Sequence, residues 1–280
     1  MTGTQRPRVA LVILTWNGRA ELERAIPSLA QVEYEPRTTI VVDNGSSDGS
    51  AEFVRSRFPQ VDLLALERNH GFATGMNVGA RRALELGADY VLFLNHDIEV
   101  DREFVAALVD EARRRPDAGA LCPKIMLADR PDRIWYAGAS LDPRRGYNGA
   151  HRGFNEPDSA RYGDVVETGR ACGCAMLVPR PVLEKVGLFD DDLFTYVEDT
   201  DWSLRARDAG YRILVVPRSR IWHAVSAAAG GEGSPRTLYY GTRNTLHVLE
   251  RRAPLGTVGT WRRRAVVLAS HGAQALLTRR

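Results

Sequence analysis

Residues 90–100, Tyr-Val-Leu-Phe-Leu-Asn-His-Asp-Ile-Glu-Val, decide the fold class. An apolar run stops abruptly at Asn95-His96-Asp97, so an oxygen-rich cluster follows a strand at its carboxyl end, where open α/β sheets place ligands. Such a cluster suits a divalent cation and a diphosphate. A second acidic knot, Glu198-Asp199-Thr200-Asp201-Trp202, lies much later in the chain and is followed by His223. Together the two knots point to a metal-assisted transferase acting on a nucleotide-activated donor.

Working outward, the same strand-then-loop grammar recurs on the amino-terminal side. Residues 9–14, Val-Ala-Leu-Val-Ile-Leu, read as a strand buried on both faces and closed by Thr15-Trp16-Asn17-Gly18. A helix follows, with Leu22, Ala25, Ile26 and Leu29 on one face. Residues 38–42 form a strand, 43–49 a turn and 51–57 a helix. A strand at 61–66 precedes a helix at 75–86 whose Ala80, Ala83 and Leu84 face the sheet. This alternation predicts a parallel, doubly wound, Rossmann-like sheet with flanking helices in roughly the first 120 residues. After Pro123 the composition turns to Gly, Pro, Asp and Arg, so 128–163 is expected to be irregular and to carry substrate contacts. Strands are expected again at 173–178 and 212–216, with helices around 182–186 and 200–209. Residues 226–235 have the composition of a lid or a linker. Helices are expected at 237–250 and 261–277, the second amphipathic and basic. The domain division is therefore 1–225 for the binding and catalytic unit and 226–280 for a helical extension.

Bulk properties narrow the classes. The 280 residues are 44% hydrophobic and 26% charged, ordinary for a soluble globular chain that buries a sizeable core. Net charge is only +3, and Lys124 and Lys185 are the only lysines. This balance gives no signature of nucleic-acid binding. Positive charge gathers at Arg251, Arg252, Arg262, Arg263, Arg264, Arg279 and Arg280, a tail suited to an anionic membrane surface. Cys122, Cys172 and Cys174 fit neither a disulfide framework nor a zinc motif and read as small buried residues in a reducing cytoplasm. No segment has the length of a membrane span or the build of a signal peptide. The expected location is cytoplasmic, with peripheral contact at the inner face of the membrane. Oligomeric state is not encoded legibly.

The chemistry-bearing residues admit functional and structural readings side by side. Asp43, ahead of Asn44 to Gly49, suits contact with a base or ribose, while Asp43, Ser47 and Asp48 equally suit a turn and a helix cap. Asn69 and Gly71 sit at another strand end, where glycine lets the backbone approach a ligand. Asn95 and Asp97 alternate around His96. One carboxylate and one amide make a weak cage, so Mg²⁺ or Mn²⁺ there needs phosphate oxygens as further ligands. His223 can supply an imidazole or be a packed core histidine. Glu198, Asp199 and Asp201 give three carboxylates at a helix start, more than capping requires. Crowded carboxylates raise one another's proton affinity and can serve as a general base.

These pieces, in this order, resemble glycosyltransferase family 2, the inverting enzymes of the GT-A fold, and especially its bacterial rhamnosyltransferase-like branch. The resemblance runs from Val9 to about Ser226. It is carried by Val41-Val42-Asp43-Asn44-Gly45-Ser46-Ser47-Asp48-Gly49, Asn69-His70-Gly71-Phe72, Leu94-Asn95-His96-Asp97, Gly173-Cys174-Ala175-Met176-Leu177-Val178 and Glu198-Asp199-Thr200-Asp201. It implies a sheet of GT-A type and a nucleotide-diphosphate sugar donor, a dTDP- or UDP-sugar and in particular dTDP-rhamnose. It also implies a hydroxyl acceptor on a glycan, glycolipid or natural product. Asp199 becomes the catalytic base, Asp97 and His223 the metal ligands, and Asp43 the nucleotide contact. The donor side is assigned to Thr15, Asn17, Asp43, Asn69, Gly71, Asn95 and Arg243, the last from Tyr239-Tyr240-Gly-Thr-Arg243-Asn244. The acceptor side is assigned to Glu198, Asp201 and Trp202. Asn95 departs from the Asp-x-Asp pattern of the family. The rival readings are a nucleotide-sugar-binding pseudoenzyme and a sugar nucleotidyltransferase. The latter normally carries a glycine- and basic-rich phosphate loop, which residues 15–18 lack.

Overall fold

Val9–Thr15 is buried at every position and forms β1, the strand around which the sheet is organised. Burial on both faces is what a parallel strand covered by helices requires. β1 runs parallel to β2 (Arg37–Asp43) on one side and to β4 (Tyr90–Asn95) on the other, and β3 (Asp62–Ala65) extends β2, also parallel. The computed structural model describes residues 6–142, 147, 149–225, 234–252, 256, 259–262 and 264–269. Three helices, α1 (Arg19–Ala30), α2 (Ser50–Arg57) and α3 (Phe72–Glu85), make the crossovers. α3 lies close on the sheet because position 79 is glycine: a Cβ there would stand 2.3 Å from Val12 Cγ1. Ala80 and Ala83 of α3 are fully buried, and Leu84 packs at the margin of the core.

Beyond β4 the sheet becomes mixed. β9 (Ala175–Pro179) inserts antiparallel between β4 and β6 (Ala118–Leu127), and β10 (Arg212–His223) lies parallel to β6. β5 (Ile98–Val100) closes the far edge antiparallel to β10, giving the order β3-β2-β1-β4-β9-β6-β10-β5. Two short strands, β7 (Ile134–Tyr136) and β8 (Val166–Glu167), pair with β6 and β10. The remaining helices are α4 (Phe104–Arg114), α5 (Arg180–Val186), α6 (Glu198–Asp208) and α7 (Pro235–Arg252).

Two prolines account for the main departures from the sequence expectation. β6 runs straight across Pro123, where composition predicts the sheet to stop, and Pro123 stands opposite Val216 of β10. β10 carries its own Pro217, and the β6–β10 register shifts between Val216 and Arg220. A proline removes one ladder donor and is accommodated at such a bulge. The strand expected to end at 216 therefore continues to His223. The region 128–163 is less irregular than expected: β7 and bridges Arg133–Pro157 and Ala139–His151 organise it. The buried Lys124 ammonium anchors it by pairing with Asp158 at 2.7 Å.

The strand registers gather distant residues at one edge. Thr15 lies beside Asp43, Leu14 beside Asn95, and His223 beside Ile98. Residues 226–233 of the lid or linker expected at 226–235, and residues 270–277 of the basic helix expected at 261–277, lie outside the described residues, whereas 259–262 and 264–269 are helical. No described helix is long and apolar enough to cross a membrane.

Candidate active site

A cleft of about 490 Å³ opens at this edge and is lined from both acidic knots: Asn95, His96 and Asp97 on one wall, Glu198 and Asp199 on the other, with His223 beside Asp97. Its size is that of a small-molecule site.

The first corner follows from the pairing of β5 with β10. His223 faces Ile98 across the ladder, and Ala224 N–H donates to the Asp97 carbonyl at 2.9 Å. Asp97 Oδ1 and His223 Nε2 consequently stand 3.1 Å apart, both side chains buried. The Trp135 ring packs edge-on against the His223 imidazole at 4.6 Å between centroids and fixes its plane. Adjacent ligands of an octahedral Mg²⁺ bonded at about 2.1 Å lie about 3.0 Å apart, so this pair has the spacing of two neighbouring ligands. Among the described residues no group of three His, Cys, Asp or Glu side chains gathers to hold a metal. The two donors fit a cation that takes its remaining ligands from a diphosphate, with the Asn95 amide alongside.

The second corner is the first turn of α6. Asp199 Oδ2 accepts from Gly173 N–H at 3.0 Å and from Arg170 Nη1 at 3.3 Å, and Oδ1 accepts from Thr200 Oγ1 at 3.2 Å. The helix amino terminus adds a favourable dipole for negative charge. Arg170 also donates from Nη2 to His151 Nε2 at 2.9 Å. Arginine only donates, so that imidazole nitrogen carries the lone pair, and His151 Nδ1–H donates to the Trp135 carbonyl at 3.1 Å. Burial, helped by the Arg170 charge, lowers the His151 pKa to about 4 and keeps it neutral. Glu198 is pushed the other way, up to about 8, by burial and then by the Asp199 charge. The two adjacent carboxyls thus divide their roles: Glu198 holds a proton while the hydrogen-bonded Asp199 carries the charge.

Glu198 has a measurable consequence. A carboxyl that holds its proton more tightly when folded adds stability at low pH, and that stability is lost as pH climbs from about 4.5 toward about 8. Glu198→Gln, neutral throughout, is expected to melt with the wild type at about pH 5 and several degrees above it at about pH 8.5 in calorimetry. Equal melting temperatures at both pH values would mean that Glu198 is ionised in the fold.

The donor-side residues divide into lining and framing groups. Thr15 and Asn69 line the cleft beside Asn95. Asn17 instead ties two loops together, accepting from Ser47 N–H at 2.8 Å. Asp43 accepts from Ser46 N–H at 2.8 Å through Oδ1, while its buried Oδ2 has no partner. Gly71, at φ 89°, shapes the wall: a Cβ would stand 2.5 Å from the Phe194 carbonyl oxygen. Arg243 lies outside the lining and donates to the Asp192 carbonyl at 2.9 Å. The arginine that α7 brings to the cleft is Arg236, between the Trp16 and Phe194 rings at 4.9 and 5.6 Å.

Two acceptor-side expectations are corrected. Asp201 lies roughly 200° around the helix from Asp199 and lines a different pocket, paired with Arg205 at 2.8 Å and Arg252 at 3.5 Å. Trp202 is a core residue whose Nε1 donates to the Gly187 carbonyl at 2.9 Å. His96, Trp135, His151, Arg170 and Tyr196 join the lining without having been singled out by sequence. His96 had the clearest signal, since it sits inside the motif. His151 and Arg170 had none, because each is an isolated polar residue in a glycine- and arginine-rich stretch. Thr15 Oγ1, His96 Nε2, Arg170 Nε, Glu198 Oε2 and His223 Nδ1 are buried polar atoms in the lining with no hydrogen-bond partner among the described residues. Unmet buried donors and acceptors are costly and collect where a ligand satisfies them.

The profile of Glycosyl transferase family 2 matches residues 10–187. The chain is 28% identical over 271 residues to N-acetylglucosaminyl-diphospho-decaprenol L-rhamnosyltransferase of Mycobacterium tuberculosis, covering 90% of this chain and 86% of that one. It is 25% identical over 248 residues to the dTDP-rhamnosyl transferase RfbF of Shigella flexneri, covering 86% and 79%. In fold it matches GalNAc-T7, solved with UDP, GalNAc and Mn²⁺, at a TM-score of 0.67 and 18% identity. That match covers 88% of this chain and 48% of GalNAc-T7, so the chain spans about half of that protein. It also matches the mannosyltransferase PcManGT of Pyrobaculum calidifontis, in complex with GDP-Man and Mn²⁺, at 0.59 and 19% identity over 98% and 79% of the two chains. The family profile covers well over half of the sequence, and the chain belongs to glycosyl transferase family 2 as a glycosyltransferase of the GT-A fold.

Proposed function

We propose that this enzyme transfers a sugar from a nucleotide-diphosphate donor to an acceptor hydroxyl with inversion at the anomeric carbon. The observation that carries the reading is the opening of the Asp97–His223 pair and of Asp199 into one cleft. Asp199, hydrogen-bonded to Arg170 and to Gly173 N–H, takes the acceptor proton as the hydroxyl oxygen bonds to the anomeric carbon. The bond from that carbon to the diphosphate breaks, and the electron pair leaves with the nucleoside diphosphate. Asp97 and His223 would hold a divalent cation, which would supply Lewis-acid charge toward that leaving group. Protonated Glu198 donates a hydrogen bond on the acceptor side, and Thr15, Asn69 and Asn95 line the donor side.

The names of the two relatives favour rhamnose as the sugar transferred, one of them with dTDP as its carrier, and the other favours a lipid-linked diphosphate glycan as acceptor. A lipid-borne acceptor suits the carboxyl-terminal helix, where Trp261 and Leu268 are exposed alongside Arg262. Apolar and basic groups side by side suit the surface of an anionic membrane.

The test is a donor panel of dTDP-, UDP- and GDP-sugars assayed for released nucleoside diphosphate, with Mn²⁺ and with EDTA. The acceptor is presented both in anionic vesicles and in detergent. Release is expected to be fastest from dTDP-rhamnose, to stop in EDTA and to be faster on vesicles. Release unaffected by EDTA would end the metal assignment, no release from any donor would end the proposed reaction, and equal rates on vesicles and in detergent would end the membrane contact.

A further inference from the structure

The turn that delivers Asp199 is held in a conformation its own residues disfavour. Phe194, Tyr196 and Val197 have φ of 47°, 66° and 73°, three non-glycine residues in the left-handed region within four positions. Such backbone persists only where surrounding contacts over-determine it. The turn supplies Thr195 and Tyr196 to the cleft and runs directly into Glu198 and Asp199.

Asn244 of α7 provides the main hold. It is 0% exposed, and its Nδ2 donates to the carbonyls of Leu193, Thr195 and Tyr196 at 2.5, 2.8 and 2.8 Å. Its Oδ1 accepts from Arg243 Nη1 at 2.8 Å, which orients the amide so that its NH₂ faces the three carbonyls. The rest of α7 works in the same direction. The Tyr240 ring stacks on Phe194 at 4.9 Å and 16°, and Thr237 Oγ1 shares a hydrogen bond with the Tyr196 hydroxyl at 3.0 Å. From the opposite side, Phe72 N–H at the start of α3 donates to the Phe194 carbonyl at 2.5 Å. An amide is the group this spot needs, because a carboxylate would aim lone pairs at three carbonyl oxygens.

We propose that Asn244 is a positioning residue for transfer, holding the 193–196 carbonyls so that the strained turn sets Asp199 and Tyr196 against the acceptor. The proposal rests on Asp199 being the base. It gives the segment from Tyr239 to Asn244 a role in the turn next to the base, where sequence resemblance had suggested contact with the diphosphate through Arg243.

The test uses the full chain with the near-isosteric Asn244→Asp. Three quantities are measured: transfer kinetics, affinity for dTDP and for UDP in Mn²⁺, and amide hydrogen exchange. Turnover is expected to fall about 10²-fold, the scale on which small displacements of a catalytic group act. Nucleotide affinity is expected to stay at the wild-type value, and exchange is expected to quicken across 194–200 while β1 and β4 stay protected. A purely structural role would instead lower protection throughout. Faster exchange at 194–200 with unchanged turnover overturns the proposal, as does a loss of nucleotide affinity equal to the loss of turnover. Tyr240→Leu, which removes the stack on Phe194 and the edge contact with Tyr239 but leaves the Asn244 hydrogen bonds in place, gives the same reading with a smaller loss if Asn244→Asp does not fold. Wild-type protein that turns over no donor defeats the proposed reaction. Exchange at 194–200 that is unchanged in Asn244→Asp defeats the clamp, whatever the wild type does.

Discussion

Asp199→Asn is expected to lower turnover by about 10³- to 10⁴-fold while leaving nucleotide affinity unchanged, the scale of a lost general base. The substitution keeps the shape of the side chain and an oxygen for Gly173 N–H, so the loss lies in proton acceptance. It also removes the counter-charge of Arg170, whose side chain is only 16% exposed. Removing one partner of a buried pair ordinarily destabilises by about 3 kcal/mol or more. Glu198 softens that loss here. Its proton affinity is raised partly by the Asp199 charge, and Arg170 acts on it in the opposite sense. Once Asp199 is neutral, Glu198 ionises more readily and becomes the counter-charge for Arg170. The single variant is therefore expected to melt close to the wild type and to retain a trace of turnover. Asp199→Asn combined with Glu198→Gln is expected to lose that trace and to melt markedly lower. Steady-state rates and thermal unfolding of the two variants check this. Asp199→Asn with turnover within about tenfold of wild type would remove it from the role of base.

How much of this was legible in the sequence depends on the range of the interaction that makes each element. The first four strands and their crossovers could be read because apolar runs end in polar turns, a local pattern set by burial on both faces. β6 could not, because Pro123 reads locally as a break and is rescued by a bulge in a partner strand about a hundred positions away. Asp97, Asp199 and His223 were legible as types at strand and helix ends. Their convergence was not, because it depends on the antiparallel β5–β10 ladder and on the reversal of β9. Asp201 and Trp202 misled for a helical reason. Neighbours of a catalytic carboxylate in sequence are carried to other faces by the helix, and Arg252 of α7, which pairs with Asp201, is far off in the chain. Arg170 and His151 became visible only as a hydrogen-bonded chain ending on Asp199.

Asp97→Asn is expected to reduce turnover by about 10³-fold, corresponding to about 4 kcal/mol of leaving-group stabilisation. It is also expected to make the affinity for dTDP or UDP the same with and without Mn²⁺. Among the described residues that line the cleft, Asp97 supplies the carboxylate on its wall, and the neighbouring strand-end position is Asn95. Its removal leaves amides and an imidazole on that wall, a donor set without a carboxylate to hold a hard cation. Asp97 Oδ1 stands 3.1 Å from His223 Nε2. His223→Asn is expected to weaken Mn²⁺ dependence less, since it removes a ligand without removing the charge. The reverse change is the sharper test: Asn95→Asp adds a second carboxylate beside the first. It is expected to lower the Mn²⁺ concentration for half-maximal turnover by about tenfold, one charge at an effective dielectric between water and protein interior. Mn²⁺ titrations of nucleotide binding and of turnover on the three variants decide the matter. An Asn95→Asp protein that needs as much Mn²⁺ as the wild type, beside an Asp97→Asn protein that still responds to the metal, would place the cation elsewhere in the cleft.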